Sequence, residues 1–175
     1  MNIGEMAIDH FGRVRGLLAR CIEGLTVEQL MKQPDENSNP LGWNAWHLTR
    51  VQDHQICGLS GREQAWIEEG WHERFNMPPD PENNGVGQSM DEVRAFQSPE
   101  ASVIIDYYDA VYVRTQEYLK TITPEALDRV LNEPRWDPMP TVGVRLVSVM
   151  HDCSMHAGEM AYLKGMLESR QWYPA

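Results

Sequence analysis

Apolar side chains recur along this chain at the spacing that a helix presents as one stripe. Between residues 142 and 167 they fall at Val142, Leu146, Val149, Cys153, Met160, Leu163 and Leu167, in steps of 4, 3, 4, 7, 3 and 4. The position missing from the middle is His156. Three earlier stretches repeat the pattern. Ala7, His10, Val14, Leu17 and Cys21 mark a helix over 3–24, closed by Gly24. Trp43, His47, Val51, His54 and Gly58 mark one over 41–59. Ile104, Tyr108, Val111, Thr115, Tyr118 and Ile122 mark one over 99–122, with Ser98 as its cap and Pro99 in its first turn. Shorter helices are predicted at 27–32 behind Thr26, at 62–69, from Ser89 to Phe96 with Glu92 completing a capping box, and from Pro124 to Leu131. Residues 70–89 and 132–140 are rich in Pro, Asn and Gly and read as long loops. No strand-type alternation and no repeat accompanies them. The prediction is a single all-α domain over 1–175: a four-helix bundle with two long loop connections and short extra helices.

The polar residues inside these stripes carry the chemistry. His156 occupies a seam position, and Asp152, one turn earlier, lies about 40° away at ~100° per residue. A buried imidazole and carboxylate need partners, because burying unpaired polar groups costs several kcal/mol (roughly 2–7). His47, between Trp43 and Val51, brings a second imidazole inward from another helix. His47, Asp152 and His156 together make an N2O set with an open position, the pattern of a catalytic zinc site that also suits nickel or iron. The reading without a metal is that the three hydrogen-bond among themselves. His151 is the competing third ligand. Its five-residue separation from His156 puts the two side chains about 140° apart, so it faces solvent unless a π-bulge intervenes. His54 lines the same pocket or is a hydrogen-bonded core residue, and His10 is expected to be a satisfied core histidine. Arg50 either meets an anionic substrate group or is a surface or ion-paired arginine. Glu159, three residues after His156, either orients that ligand or is an ordinary surface acid.

Charge and cysteine usage narrow the setting. The chain has 175 residues and a formal net charge of -11, which argues against nucleic acid and against an anionic membrane surface as partners. Three widely spaced cysteines without a C-x-x-C read as buried free thiols in a reducing, cytoplasmic compartment. No secretory signal is visible at the start, and no apolar run approaches the ~20 residues that span a bilayer.

Two strings carry a resemblance. Leu41-Gly-Trp-Asn-Ala-Trp-His47-Leu-Thr-Arg50-Val-Gln-Asp-His54 and His156-Ala-Gly-Glu-Met-Ala-Tyr-Leu-Lys-Gly165 resemble the DinB-like superfamily. With Trp71-His-Glu-Arg-Phe75-Asn-Met-Pro78 and Thr141-Val-Gly-Val-Arg145-Leu-Val-Ser148, they look closest to the branch near the N-terminal metal-binding domain of mycothiol-dependent maleylpyruvate isomerase. The resemblance implies a divalent metal held by a second-helix histidine, here His47, and by an acid and a histidine four residues apart on the last helix, here Asp152 and His156. Aspartate stands where that branch has glutamate. The isomerase's separate C-terminal domain has no counterpart in these residues, so the isomerase reaction is not expected of them. What the resemblance implies instead is a thiol S-transferase: a low-molecular-weight thiol such as mycothiol or bacillithiol, activated at the metal, attacks an electrophile. The loops 70–89 and 132–140 would wall its substrate pocket. The competing readings are a metal-dependent hydrolase and a non-catalytic, metal-stabilised stress-response module. Family members are often dimers, so a homodimer is the expected assembly if there is one.

Overall fold

The computed structural model describes residues 1–171. In chain order its helices are α1 (Ile3–Ile22), α2 (Val27–Met31), α3 (Leu41–Ser60), α4 (Ala65–Glu68), α5 (Trp71–Arg74), α6 (Met90–Ala95), α7 (Ala101–Leu119), α8 (Pro124–Leu127) and α9 (Val142–Leu167). Among the described residues there is no strand, only an isolated bridge between Val130 and Thr141. The long helices α1, α3, α7 and α9 form the bundle. Its neighbours around the ring are α1 with α7, α7 with α3, α3 with α9, and α9 with α1. The α3–α9 seam is the most extensive, and it holds the candidate site.

Local sequence explains the helix starts. Asn2, Thr26 and Ser89 each accept a hydrogen bond from the backbone three residues on, while Glu5, Gln29 and Glu92 reach back to the cap, completing three capping boxes. Thr141 caps α9 through the Val144 amide. The expected Ser98 cap does not form. α7 begins at Ala101 behind Glu100 with no side-chain cap. Ser98 Oγ donates to the Pro99 carbonyl instead, 2.9 Å away.

Two stripes are displaced from their predicted lines. In α1 the buried positions are Gly4, Ala7, Phe11, Val14, Leu18, Cys21 and Ile22, leaving His10 and Leu17 at the margin. α1 touches both α7 and α9, so its buried face is broad and centred between them. In α9 the buried line runs through Val149, Cys153, Ala157, Met160, Ala161 and Lys164. His156 therefore sits at the edge of the seam, its side chain 14% exposed, rather than in the middle of the core. α3 has no single seam. Every residue from Leu41 to Asp53 is buried. Neighbouring helices cover it on several sides, and the segment after α5 closes over it.

That segment is pinned by side chains of α3. Arg50 Nη2 donates to the Pro81 carbonyl at 3.0 Å and its Nε to the Asn83 carbonyl at 3.1 Å. His47 Nδ1 donates to the Asn84 carbonyl. The backbone at 81–84 thus lies along α3 although it has no regular structure of its own, which satisfies carbonyls that burial would otherwise strand. No described helix is long and apolar enough to cross a membrane.

Candidate metal centre

His47 comes from the second turn of α3, and Asp152 and His156 from the middle of α9. One donor atom from each lies within 4.8 Å of the other two. The two imidazoles meet edge to face, centroids 4.6 Å apart and planes at 83°. His47 is 4% exposed and fixed by its neighbours. Trp43, one turn earlier, stacks on it at 4.7 Å and 10°, while the Trp43 indole N–H donates to Gln88.

Hydrogen bonding decides which ring nitrogens face the cluster. A carbonyl can only accept, so the contact with Asn84 O places the His47 proton on Nδ1 and leaves the Nε2 lone pair free. His156 Nδ1 lies 2.8 Å from a Glu159 carboxylate oxygen, which fixes its tautomer the same way. Burial, then the proximity of His156, lowers the His47 pKa, against smaller opposing effects of the Asn84 hydrogen bond and the Asp152 charge. The neutral imidazole that a metal requires is therefore the favoured form.

The arrangement fits a divalent cation better than an internally bonded triad. The approach of His156 Nε2 to Asp152 Oδ1, at 3.8 Å, is beyond hydrogen-bond range. Asp152 Oδ2 is buried with no hydrogen-bond partner. A residue with an unpartnered buried carboxylate oxygen, grouped with two imidazoles whose Nδ1 protons are engaged elsewhere, is a donor set that fits a divalent cation.

The other residues singled out by the sequence lie elsewhere. His151 is exposed, outside the cluster. His10, half-buried on α1, has its Nε2 3.1 Å from the Met150 carbonyl. His54 Nδ1 is 3.2 Å from both the Pro81 carbonyl and the Gln64 amide, and it is not a member of the cluster. Arg50 is 0% exposed, engaged by Pro81, Asn83, Gln64, Tyr107 and Asp53, so it is a structural clamp with no face for an anionic substrate. Glu159 is the orienting partner of His156. The loop 132–140 is anchored to α9 through the Glu133–Arg145 ion pair.

The protein's own thiols are withdrawn from chemistry. Cys21, Cys57 and Cys153 are buried and unbridged. Burial pushes Cys21 and Cys57 up to about 12 and raises Cys153 well above its ordinary value.

Several contributors were not anticipated. Asn84 acts through its backbone carbonyl, which no side-chain pattern reveals. Gly85 has a φ of +92°, and a Cβ there would come within 2.8 Å of His47 Nδ1 and of Trp43. The Asn-Gly pair was the available signal. Asp53, fully buried, binds the Ala65 and Trp66 amides and the Tyr107 hydroxyl. Asn44, one turn before His47, is buried with an unpartnered amide oxygen.

Bundle and cluster together define a helical protein with a candidate three-residue site for a divalent metal. The chain belongs to the DinB superfamily, whose sequence model it matches over residues 10–160. It is similar to a conserved protein from Enterococcus faecalis known from its crystal structure, with 25% identity and a TM-score of 0.88 over 97% of this chain and 99% of that one. No functionally curated protein matches it.

Proposed function

We propose that His47, Asp152 and His156 hold a divalent metal, zinc foremost with nickel or iron as alternatives, and that the chain is a low-molecular-weight-thiol S-transferase. The observation that carries the metal is the directed donor set: two imidazoles whose Nδ1 protons are committed to Asn84 and Glu159, and a carboxylate oxygen with no other partner. Three protein ligands leave a position for a small molecule, unlike the four that close a structural site. A bound metal would supply the positive charge that keeps a thiol ionised near neutral pH.

The chain's residues supply the rest. Asn84 and Glu159 hold both rings in the tautomer that presents Nε2. Trp43 and Gly85 close one side of His47 against water. The nucleophilic sulfur must come from outside, since all three cysteines are buried and held protonated. The resemblance of the strings around His47 and His156 to the thiol-dependent isomerase branch favours a mycothiol- or bacillithiol-type cosubstrate.

The test is consumption of a small thiol by a generic electrophile such as 1-chloro-2,4-dinitrobenzene, with zinc-loaded protein. The expected outcome is a protein-dependent rate that falls by about 10–100-fold in His47→Ala. Equal rates in the two proteins would reject the transferase. Ester cleavage without added thiol would assign the nucleophile to water instead.

A further inference from the structure

The outward face of α9 differs from those of its neighbours. Exposed positions of α1 carry Glu5, Asp9, Arg13 and Arg20, and those of α7 carry Asp106 and Glu117. On α9 the exposed apolar residues are Val144, Val147, Met155, Tyr162 and Met166, and Glu159 is the one exposed residue with a formal charge. At 1.5 Å per residue the stripe from Val144 to Met166 runs for about 33 Å. An apolar face of that length on a chain of net charge -11 is the mark of an interaction surface.

The order of its residues indicates what covers it. Met155 stands at the middle. Four residues to either side are His151 and Glu159, seven to either side Ser148 and Tyr162, and eleven to either side Val144 and Met166. At ~100° per residue, all of these lie within about 40° of the Met155 direction. Two antiparallel copies of α9, related by a two-fold axis beside Met155, set each residue opposite its counterpart. The one exposed acid of the helix then meets its one exposed imidazole, and the pair occurs twice. Tyr162, 71% exposed, meets Ser148, which with Trp136, Met139 and Val144 lines an apolar groove of about 480 Å3. A bulky ring opposite a groove, at the position symmetry demands, is the self-complementarity of an isologous contact. The area is sufficient. With Trp136 and Met139 the apolar side chains of this face expose on the order of 700 Å2, against the ~800 Å2 per partner of a standard interface.

We propose that α9 is the interface of a two-fold dimer with a second copy of this chain, in which Tyr162 of each protomer fills the groove beside Ser148 of the other. This interface is independent of the metal and thiol readings. It also gives the candidate metal centre an outside contribution: the partner's His151 comes within reach of Glu159, whose carboxylate holds the His156 ring.

Sedimentation equilibrium tests this. Wild-type protein at about 50 μM is expected at twice the mass of one chain. Met155→Arg sets two like charges at the axis, and Tyr162→Glu replaces the ring with an acid. Each should raise the dissociation constant by about 100-fold or more. Both positions are exposed, so helix content by circular dichroism should be unchanged. His151→Ala loses only a polar pair and should weaken the dimer by about 2–5-fold. Met155→Cys reports position. The chain's own cysteines are buried, so mild oxidation should join two chains through residue 155 and should not join Met6→Cys, on the exposed side of α1. A wild-type monomer would overturn the proposal and leave the face to a different partner. A dimer that survives both Met155→Arg and Tyr162→Glu, or cross-linking no better at 155 than at 6, would overturn it as well.

Discussion

Two polar clusters sit one turn apart on α3, and they are built on opposite principles. Arg50 and Asp53 are both 0% exposed, and their partners are complete. Asp53 accepts from the Ala65 amide at 3.0 Å, the Trp66 amide at 2.9 Å and the Tyr107 hydroxyl at 2.9 Å. Arg50 donates to Gln64, Tyr107 and two backbone carbonyls, and it lies over the Trp66 ring. The cluster around His47 has its outer contacts satisfied and its inner ones open: one donor atom each of His47, Asp152 and His156 lie within 4.8 Å of one another, and Asp152 Oδ2 is buried with no hydrogen-bond partner. A closed network fixes the fold, whereas an open one that converges on a point has room for a ligand. The first ties α4 and the segment at 81–84 to α3, and thereby brings the Asn84 carbonyl to His47.

The contrast breaks most visibly at Asp53. Asp53→Ala leaves the buried Arg50 guanidinium uncompensated and strips the first amides of α4. It should cost about 3–5 kcal/mol in urea unfolding. His47→Ala should cost metal-free protein far less. Equal losses would mean that both clusters are structural.

Gly85 links the two clusters. Its φ of +92° and the contacts a Cβ would make with His47, Trp43 and Trp46 mean that Gly85→Ala must displace the loop. The strain is about 1–3 kcal/mol, and metal affinity should fall about 10–100-fold through loss of the Asn84 hydrogen bond. Competition with a chromophoric chelator reads the affinity. Unchanged affinity would detach the loop from the site.

The smallest effect belongs to His10. Burial lowers its pKa from the ordinary 6.5, outweighing the contact with the Met150 carbonyl and the nearby Asp9 charge. The unfolded chain therefore takes up a proton at higher pH than the folded chain does. Stability from this residue is full above about 6.5 and is lost as pH falls through the depressed value. Metal-free wild-type protein should lose stability relative to His10→Gln only below that point. A difference between them independent of pH would contradict this assignment.

The four long helices were legible because each keeps a helical repeat over many turns, and the Thr26 cap and the Ser89–Glu92 capping box announced two short ones. Position within a stripe was less legible. The α1 face is shared between two neighbours, so its centre runs through Phe11 and Leu18 rather than His10 and Leu17. The pairing of His47 with Asp152 and His156 could be expected from spacing plus resemblance. The loop that orients His47 could not, since it acts through main-chain carbonyls that every residue possesses. Asp53 gave no local sign of its role, because Tyr107 lies 54 residues away; the ion-paired reading of Arg50 matches its contact with Asp53, but its carbonyl acceptors come from a segment with no periodic pattern.

As a metal site, the open cluster takes Asp152 rather than His151 as its third ligand. Elemental analysis of purified wild-type, Asp152→Ala and His151→Ala proteins addresses it directly. About one divalent ion per chain is expected in the wild type and in His151→Ala, and a marked loss in Asp152→Ala. Full occupancy in Asp152→Ala, or its loss in His151→Ala, would contradict it.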